Sequence, residues 1–216
     1  MKISIVIPSL NRSHQLLTLI GNIQATSGKD FSIEILPIID VDDLTTNSLL
    51  DKTGIKYYLT PPFSTPIFKW NEGLRHSSGD WIVQGADDIL FPEDWLKKAF
   101  LTPNHGFLAL SDGRMKDVPY EPHYMAERTW LKKYMGGVLA CPKYNHYFND
   151  LEIGARANKI GQFIRARIII QHNHCVWNTA KKDSTYKKGE KFFNLDRVLY
   201  DERKQLNFPD DFSSVI

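Results

Sequence analysis

Asp87 and Asp88 are adjacent carboxylates directly after the apolar run Trp81-Ile82-Val83. Paired carboxylates at the end of a strand make a hard oxygen site for Mg²⁺ or Mn²⁺, with substrate phosphates as further ligands. The competing use is an acidic turn that caps a helix starting near Pro92. Asp40 and Asp42 follow another apolar run, where an acidic residue in nucleotide-binding α/β folds hydrogen-bonds a nucleoside. Asp40 is preferred over Asp42; the alternative is a solvated turn with Asp43 or Thr45 capping the next helix. Arg12 offers a charge to offset a diphosphate. Asp150 and Glu152 fall in the first turn of a helix, and Asn149 and Glu152 have capping-box spacing, so both acids suit the positive end of a helix dipole. His172 and His174 alternate at a strand end, which predicts opposite faces and at most one of them in a given site. One of the two is a candidate metal ligand. Lys181, Lys182, Lys187, Lys188 and Lys191 make either a solvated face or a strap that closes over an anion.

The elements that must position these groups alternate through the first hundred residues. Strands are predicted at 2–7, 33–39, 55–59 and 80–84 from β-branched, apolar composition. Helices are predicted at 13–23, with Leu16, Leu17, Ile20 and Ile23 at helical spacing and Ser13 as N-cap, at 66–77 behind Pro66, and at 92–100 behind Pro92. This order implies a mostly parallel central sheet with helices on both faces, an α/β domain. In such sheets ligands bind outside the carboxyl ends of the strands. Pro8 to Arg12, Asp40 to Asp43 and Gly85 to Asp88 all follow strands and so fall on that one edge. The second half gives a strand at 106–110, a loop at 119–122, a turn at Gly136-Gly137, a helix at 149–160, a strand at 163–170 and a final helix at 192–205. Residues 1–180 read as one domain, and 181–216 as a lysine-bearing segment with a helix.

The chain has 216 residues, 42% hydrophobic, with a net charge of +2, enough for one sizeable core and too weakly basic to indicate a nucleic-acid partner. Cys141 and Cys175 form no C-x-x-C pair and read as free thiols in a reducing compartment. The apolar start is cut short by Pro8, so no targeting segment or membrane span is expected, and the expected location is cytoplasmic.

Taken together, these residues resemble the family-2 glycosyltransferases of the GT-A fold. Ile3-Ser4-Ile5-Val6-Ile7-Pro8-Ser9-Leu10-Asn11-Arg12 resembles that family's first strand and nucleotide loop. Trp70-Asn71-Glu72-Gly73 with Gly79-Asp80-Trp81-Ile82 resembles its N-x-G helix and following strand. Gly85-Ala86-Asp87-Asp88, then Phe91-Pro92, sits where the family has its D-x-D, with Gly85 in place of the first Asp. Asn149-Asp150-Leu151-Glu152, Arg156 and Gly161 resemble the later segment that carries the base.

The resemblance implies a single Rossmann-like GT-A domain, with a nucleotide half over about 1–100 and an acceptor half over about 101–180. It implies an inverting transfer from a UDP- or GDP-sugar, dependent on Mn²⁺ or Mg²⁺. Pro8, Leu10, Arg12, Asp40, Asp42 and Asn71 would form the donor set. Asp87, with Asp88 and His172 or His174, would hold the metal. Asp150 would take the proton of the acceptor hydroxyl. The acceptor stays open: saccharide, lipid-linked glycan, protein or modified nucleic acid. A GT-A-like module that binds without turnover is the alternative, supported by Gly85 and opposed by Asp150. A nucleotidyltransferase ranks below both, because no Gly-rich, Lys-containing phosphate loop follows the first strand.

Overall fold

A computed structural model describes residues 1–212. In chain order the elements are β1 (Lys2–Ser9), α1 (Ser13–Thr26), β2 (Ser32–Asp40), α2 (Leu44–Thr53), β3 (Tyr58–Thr60), α3 (Pro66–His76), β4 (Trp81–Gln84), β5 (Ile89–Leu90), α4 (Trp95–Phe100), β6 (Phe107–Ser111), β7 (His123–Glu127), α5 (Arg128–Tyr134), α6 (Asn149–Lys159), β8 (Arg165–Ile169), β9 (Gln171–His172), α7 (Ser184–Glu190) and α8 (Phe193–Gln205). Seven strands form one sheet in the order β3-β2-β1-β4-β7-β6-β8, and β5 and β9 pair separately. β1 runs parallel to β2 and β4, β2 to β3, and β6 to β8; β7 is antiparallel to both its neighbours. Six strands therefore point one way, and only β7 runs against them.

Strand alternation sends β1 side chains to two cores. Ile3, Ile5 and Ile7 pack with Leu16, Leu19 and Ile23 of α1 and Trp95 and Leu96 of α4. Val6 packs on the other face with Ile67 and Leu74 of α3, Leu131 of α5 and Ile153 of α6. A Cβ at Gly73 would run into the Val6 side chain, so a residue without one lets α3 lie close on β1. Helices thus cover both faces, as the strand–helix alternation implied.

Several local expectations are corrected. Ser13 is inside α1, and the cap position falls on Arg12, whose side chain makes no capping bond because it is used elsewhere. Asp43 does cap α2, accepting from the Thr46 amide. The helix expected from Pro92 starts at Trp95. β7 and α5 were not anticipated. The capping box at 149–152 does not form. Phe148 holds the cap position, Asn149 accepts from the Cys141 amide at 2.8 Å, and Glu152 is fully buried among Tyr144, Arg156 and Arg203.

Residues 181–212 lie against the rest of the chain, with Arg203 of α8 on Glu152 and Tyr186 of α7 on Asp88; the last four residues of the expected 181–216 segment lie outside the described residues. Among the described residues no helix is long and apolar enough to cross a membrane.

Candidate functional site

The parallel strands β1, β2 and β4 end at Ser9, Asp40 and Gln84 on one edge of the sheet. β7 runs the other way, pairing Trp81 with Glu127 and Val83 with Met125, so its first residue, His123, comes to that same edge. A cleft of about 270 Å³ opens there, and Asp87, Asp88, His123, Asp150, His172 and Tyr186 are among its lining residues. Pro8, Leu10, Arg12 and His174 line it as well.

Asp87 is buried at the cleft wall. Its carboxylate accepts from Ser9 Oγ at 2.7 Å and from Arg12 Nη1 at 2.9 Å. Burial pushes its pKa up, against the pull of the Arg12 charge. Arg12 also donates from Nε and Nη2 to Asp183 at 2.7 and 3.1 Å, and its guanidinium stacks 4.1 Å from the Tyr186 ring centroid. Burial works against that charge, but Asp183 and Asp87 outweigh it and hold Arg12 protonated.

Asp88, His123 and His172 offer one ligand atom each, all within 4.8 Å of one another. His172 Nδ1 lies 3.1 Å from Asp112 Oδ2, and its Nε2 lies 3.9 Å from Asp88 Oδ1. Burial works against the Asp112 charge, but the His172 bond prevails and holds its pKa low. Asp112 therefore fixes the proton on Nδ1 and turns Nε2 toward Asp88, the usual support of a metal-bound histidine. His123 is buried with no hydrogen-bond partner on either ring nitrogen, and burial pushes its pKa down to about 4. Buried polar atoms are normally partnered, so an orphaned imidazole aimed at a carboxylate and a second imidazole fits a divalent cation.

Asp88 and His172 of the expected metal set thus stand together with His123, while Asp87, also at the cleft, is bonded to Ser9 and Arg12. His174 does not point away from His172, because β9 ends at His172 and strand alternation lapses there; the two rings lie 5.3 Å apart. His174 Nδ1 accepts from the Val176 amide at 3.2 Å.

Asp40 is fully buried at the end of β2, paired with Lys69 Nζ at 2.8 Å and accepting from Thr60 Oγ1 at 3.0 Å. Lys69 also donates to the Ser9 carbonyl at 2.8 Å, tying β1 to β2. The second carboxylate oxygen of Asp40 has no partner. Asp40 lines a second recess of about 210 Å³ with Leu10, Asn11, exposed Asp42, Phe63 and Lys188. Asn71 lines neither of these recesses but a separate one, with Phe68 and Tyr144. Its side chain accepts from the amides of Leu139 and Ala140 and donates to the Ala140 carbonyl, so it holds a turn.

Asp150 sits in the first turn of α6 and lines the cleft. Burial raises its pKa to about 6, with the amides of Leu151 and of Asp150 itself pulling the other way. Gly85 packs its backbone on β1, donating to the Val6 carbonyl at 2.9 Å; a Cβ there would sit 2.9 Å from that oxygen.

Sequence reasoning missed His123, Lys69, Asp112, Asp183 and Tyr186. Only His123 carried a usable signal, as a histidine beside an apolar run whose strand had gone unread.

Residues 4–153 match the sequence model of the family described as Glycosyl transferase family 2. No curated protein matches the sequence. Among solved structures, a mannosyltransferase from Pyrobaculum calidifontis, in complex with GDP-Man and Mn²⁺, is 17% identical with a TM-score of 0.58, over 76% of this chain and 53% of that one. S. aureus TarS in complex with UDP is 13% identical with a TM-score of 0.56, over 72% of this chain and 54% of that one. Glucosyl-3-phosphoglycerate synthase from Mycobacterium tuberculosis, in complex with Mn²⁺, UDP and phosphoglyceric acid, is 18% identical with a TM-score of 0.55, over 76% and 67%. At these identities the likeness is one of fold. The chain spans about half the length of the first two.

Proposed function

This chain belongs to glycosyl transferase family 2, and on that premise we propose that it moves a hexose or pentose from a UDP- or GDP-sugar to an acceptor hydroxyl, with inversion and with Mn²⁺ or Mg²⁺. The observation that carries this reading is the meeting of a half-buried carboxylate, Asp150, and the Asp88–His123–His172 cluster in one cleft at the carboxyl edge of the sheet. The structural relatives solved with GDP-Man, UDP and Mn²⁺ support the ligand classes.

Asp88, His123 and His172 would hold the cation, which when bound neutralises charge on the departing diphosphate. Asp40 is assigned to the nucleoside end of the donor, with Lys69 Nζ at 2.8 Å holding its buried carboxylate in place. Pro8 and Leu10 line the adjoining cleft, and Arg12 is the reserve of positive charge, held by Asp87 and Asp183 until a diphosphate competes for it. Asp150 accepts the proton of the acceptor hydroxyl as the new bond forms. Its burial raises the proton affinity toward neutrality, which suits a base working near pH 7. The two free cysteines support a cytoplasmic location.

Incubation with UDP- and GDP-hexoses in Mn²⁺ tests the reading. Metal-dependent release of nucleotide is expected, stopped by chelation, and NMR of the first product formed should show the anomeric configuration opposite to the donor's. Retention of configuration would contradict the single-displacement role given to Asp150.

A further inference from the structure

We propose that the acceptor is a neutral saccharide, which lays the apolar face of a sugar ring on an aromatic shelf beside Asp150; the proposal rests on the glycosyltransferase reading above. Trp70, Tyr147, Phe148 and Phe192 all line the cleft, and Tyr147 and Phe148 lead directly into the turn that carries Asp150.

The shelf is built to stay in place. Asp196 accepts from the amides of Asn145, His146 and Tyr147, at 2.8 Å and 2.9 Å for the last two, and so pins the loop from α8. Tyr147 meets Phe193 edge-on at 5.2 Å, and Phe148 packs on Phe193 and Tyr200 at 5.4 and 5.5 Å. Phe148 holds φ 66°, which an aromatic residue adopts only when its surroundings enforce it. The Trp70 indole is fixed by its N–H bond to the Gly85 carbonyl at 2.8 Å. Rigid aromatic faces with an electron-rich surface suit the C–H face of a pyranose.

The charges point the same way. The Arg and Lys side chains lining the cleft are Arg12, Lys69 and Lys188. Arg12 is engaged by Asp87 and Asp183, and Lys69 by Asp40. Lys188 lies 4.8 Å over the Phe63 ring and lines the Asp40 recess. None belongs to the shelf, and burial keeps His146, which also lines the cleft, neutral at pH 7. A phosphorylated or carboxylated acceptor would add charge beside Asp150, where Arg12 and Lys69 are already paired and Lys188 stands over Phe63 at the Asp40 recess.

The test offers the protein, in Mn²⁺ and with a donor it hydrolyses, methyl glycosides and short oligosaccharides against hexose 6-phosphates and 3-phosphoglycerate. Transfer to the neutral sugars is expected. Tyr147→Leu, which keeps the bulk but removes the ring, should raise the glycoside KM roughly tenfold with little change in kcat, while Tyr147→Phe stays near wild type. A matching Phe192→Leu variant supplies a second reading on another element. Preference for the phosphorylated acceptors, or unchanged KM in both Leu variants, would overturn the proposal. Donor hydrolysis without transfer to any saccharide would overturn it too, leaving the transferase reading intact. Neither hydrolysis nor transfer in the wild type would remove both.

Discussion

Asp150 has a pKa raised by burial from 3.8 to about 6, and two consequences follow for one side chain. A base must be ionised, so kcat/KM should rise with pH through about 6 and then level off. The folded state also binds the proton more tightly than the unfolded chain, so this group's contribution to stability falls as pH climbs from about 3.8 through about 6. Asp150→Asn removes that cost, so its Tm should exceed the wild type's at pH 7 and converge with it below pH 4. A lower Tm at pH 7 would mean that Asp150 stabilises the fold.

His123 gives a second residue-scale outcome. Its ring is buried without partners, so His123→Leu should leave Tm unchanged or higher while Mn²⁺ affinity falls by at least about 10–100-fold, read by titration of the ion. Unchanged affinity would remove it from the ligand set. Asp40, Asp88 and Asp150 stood out as candidates because carboxylates after strands and in a recognisable motif are visible in a sequence. His123 was not, because its meaning comes from the strand it opens, and Lys69 looked like any lysine on a helix until its tip was seen on Asp40.

At the scale of elements, the legible parts were those with a strong period or a breaker, such as β1 with its isoleucines and α3 between Pro66 and Ser77. β7 has five residues, buried at its first four positions, and so shows no alternation to read. The apparent capping box at Asn149 and Glu152 failed because tertiary partners took both side chains. Glu152 instead joins α6 to α8 through Arg203 at 2.8 Å, with Arg156 at 3.0 Å and Tyr144 at 2.8 Å. Arg203→Ala leaves a buried carboxylate short of a partner and should cost about 3 kcal/mol in chemical denaturation. A loss within experimental error would mean that α8 docks independently of this pair. α7 is folded against the cleft through Asp183 on Arg12, Thr185 on the Leu10 carbonyl and Tyr186 on Asp88. The expectation of a lysine strap placed the segment near the cleft, yet acidic and hydroxyl side chains make those contacts.

Across the whole molecule, the parallel sheet and its ligand edge were readable because β1, β2 and β4 each hand the chain to a polar loop on one side. The second half depends on long-range pairing, β6 with β8 and β5 with β9, which leaves little local trace. On the proposed reading, this edge performs an inverting sugar transfer with Asp150 as base. The most direct measurement compares wild type and Asp150→Asn for donor affinity and for transfer rate in Mn²⁺. Donor affinity should persist while transfer falls by roughly 10²–10⁴-fold, the range for a positioned acid–base group. Wild-type turnover retained in Asp150→Asn would contradict the mechanism, and donor binding without turnover in the wild type would turn the reading to a binding module.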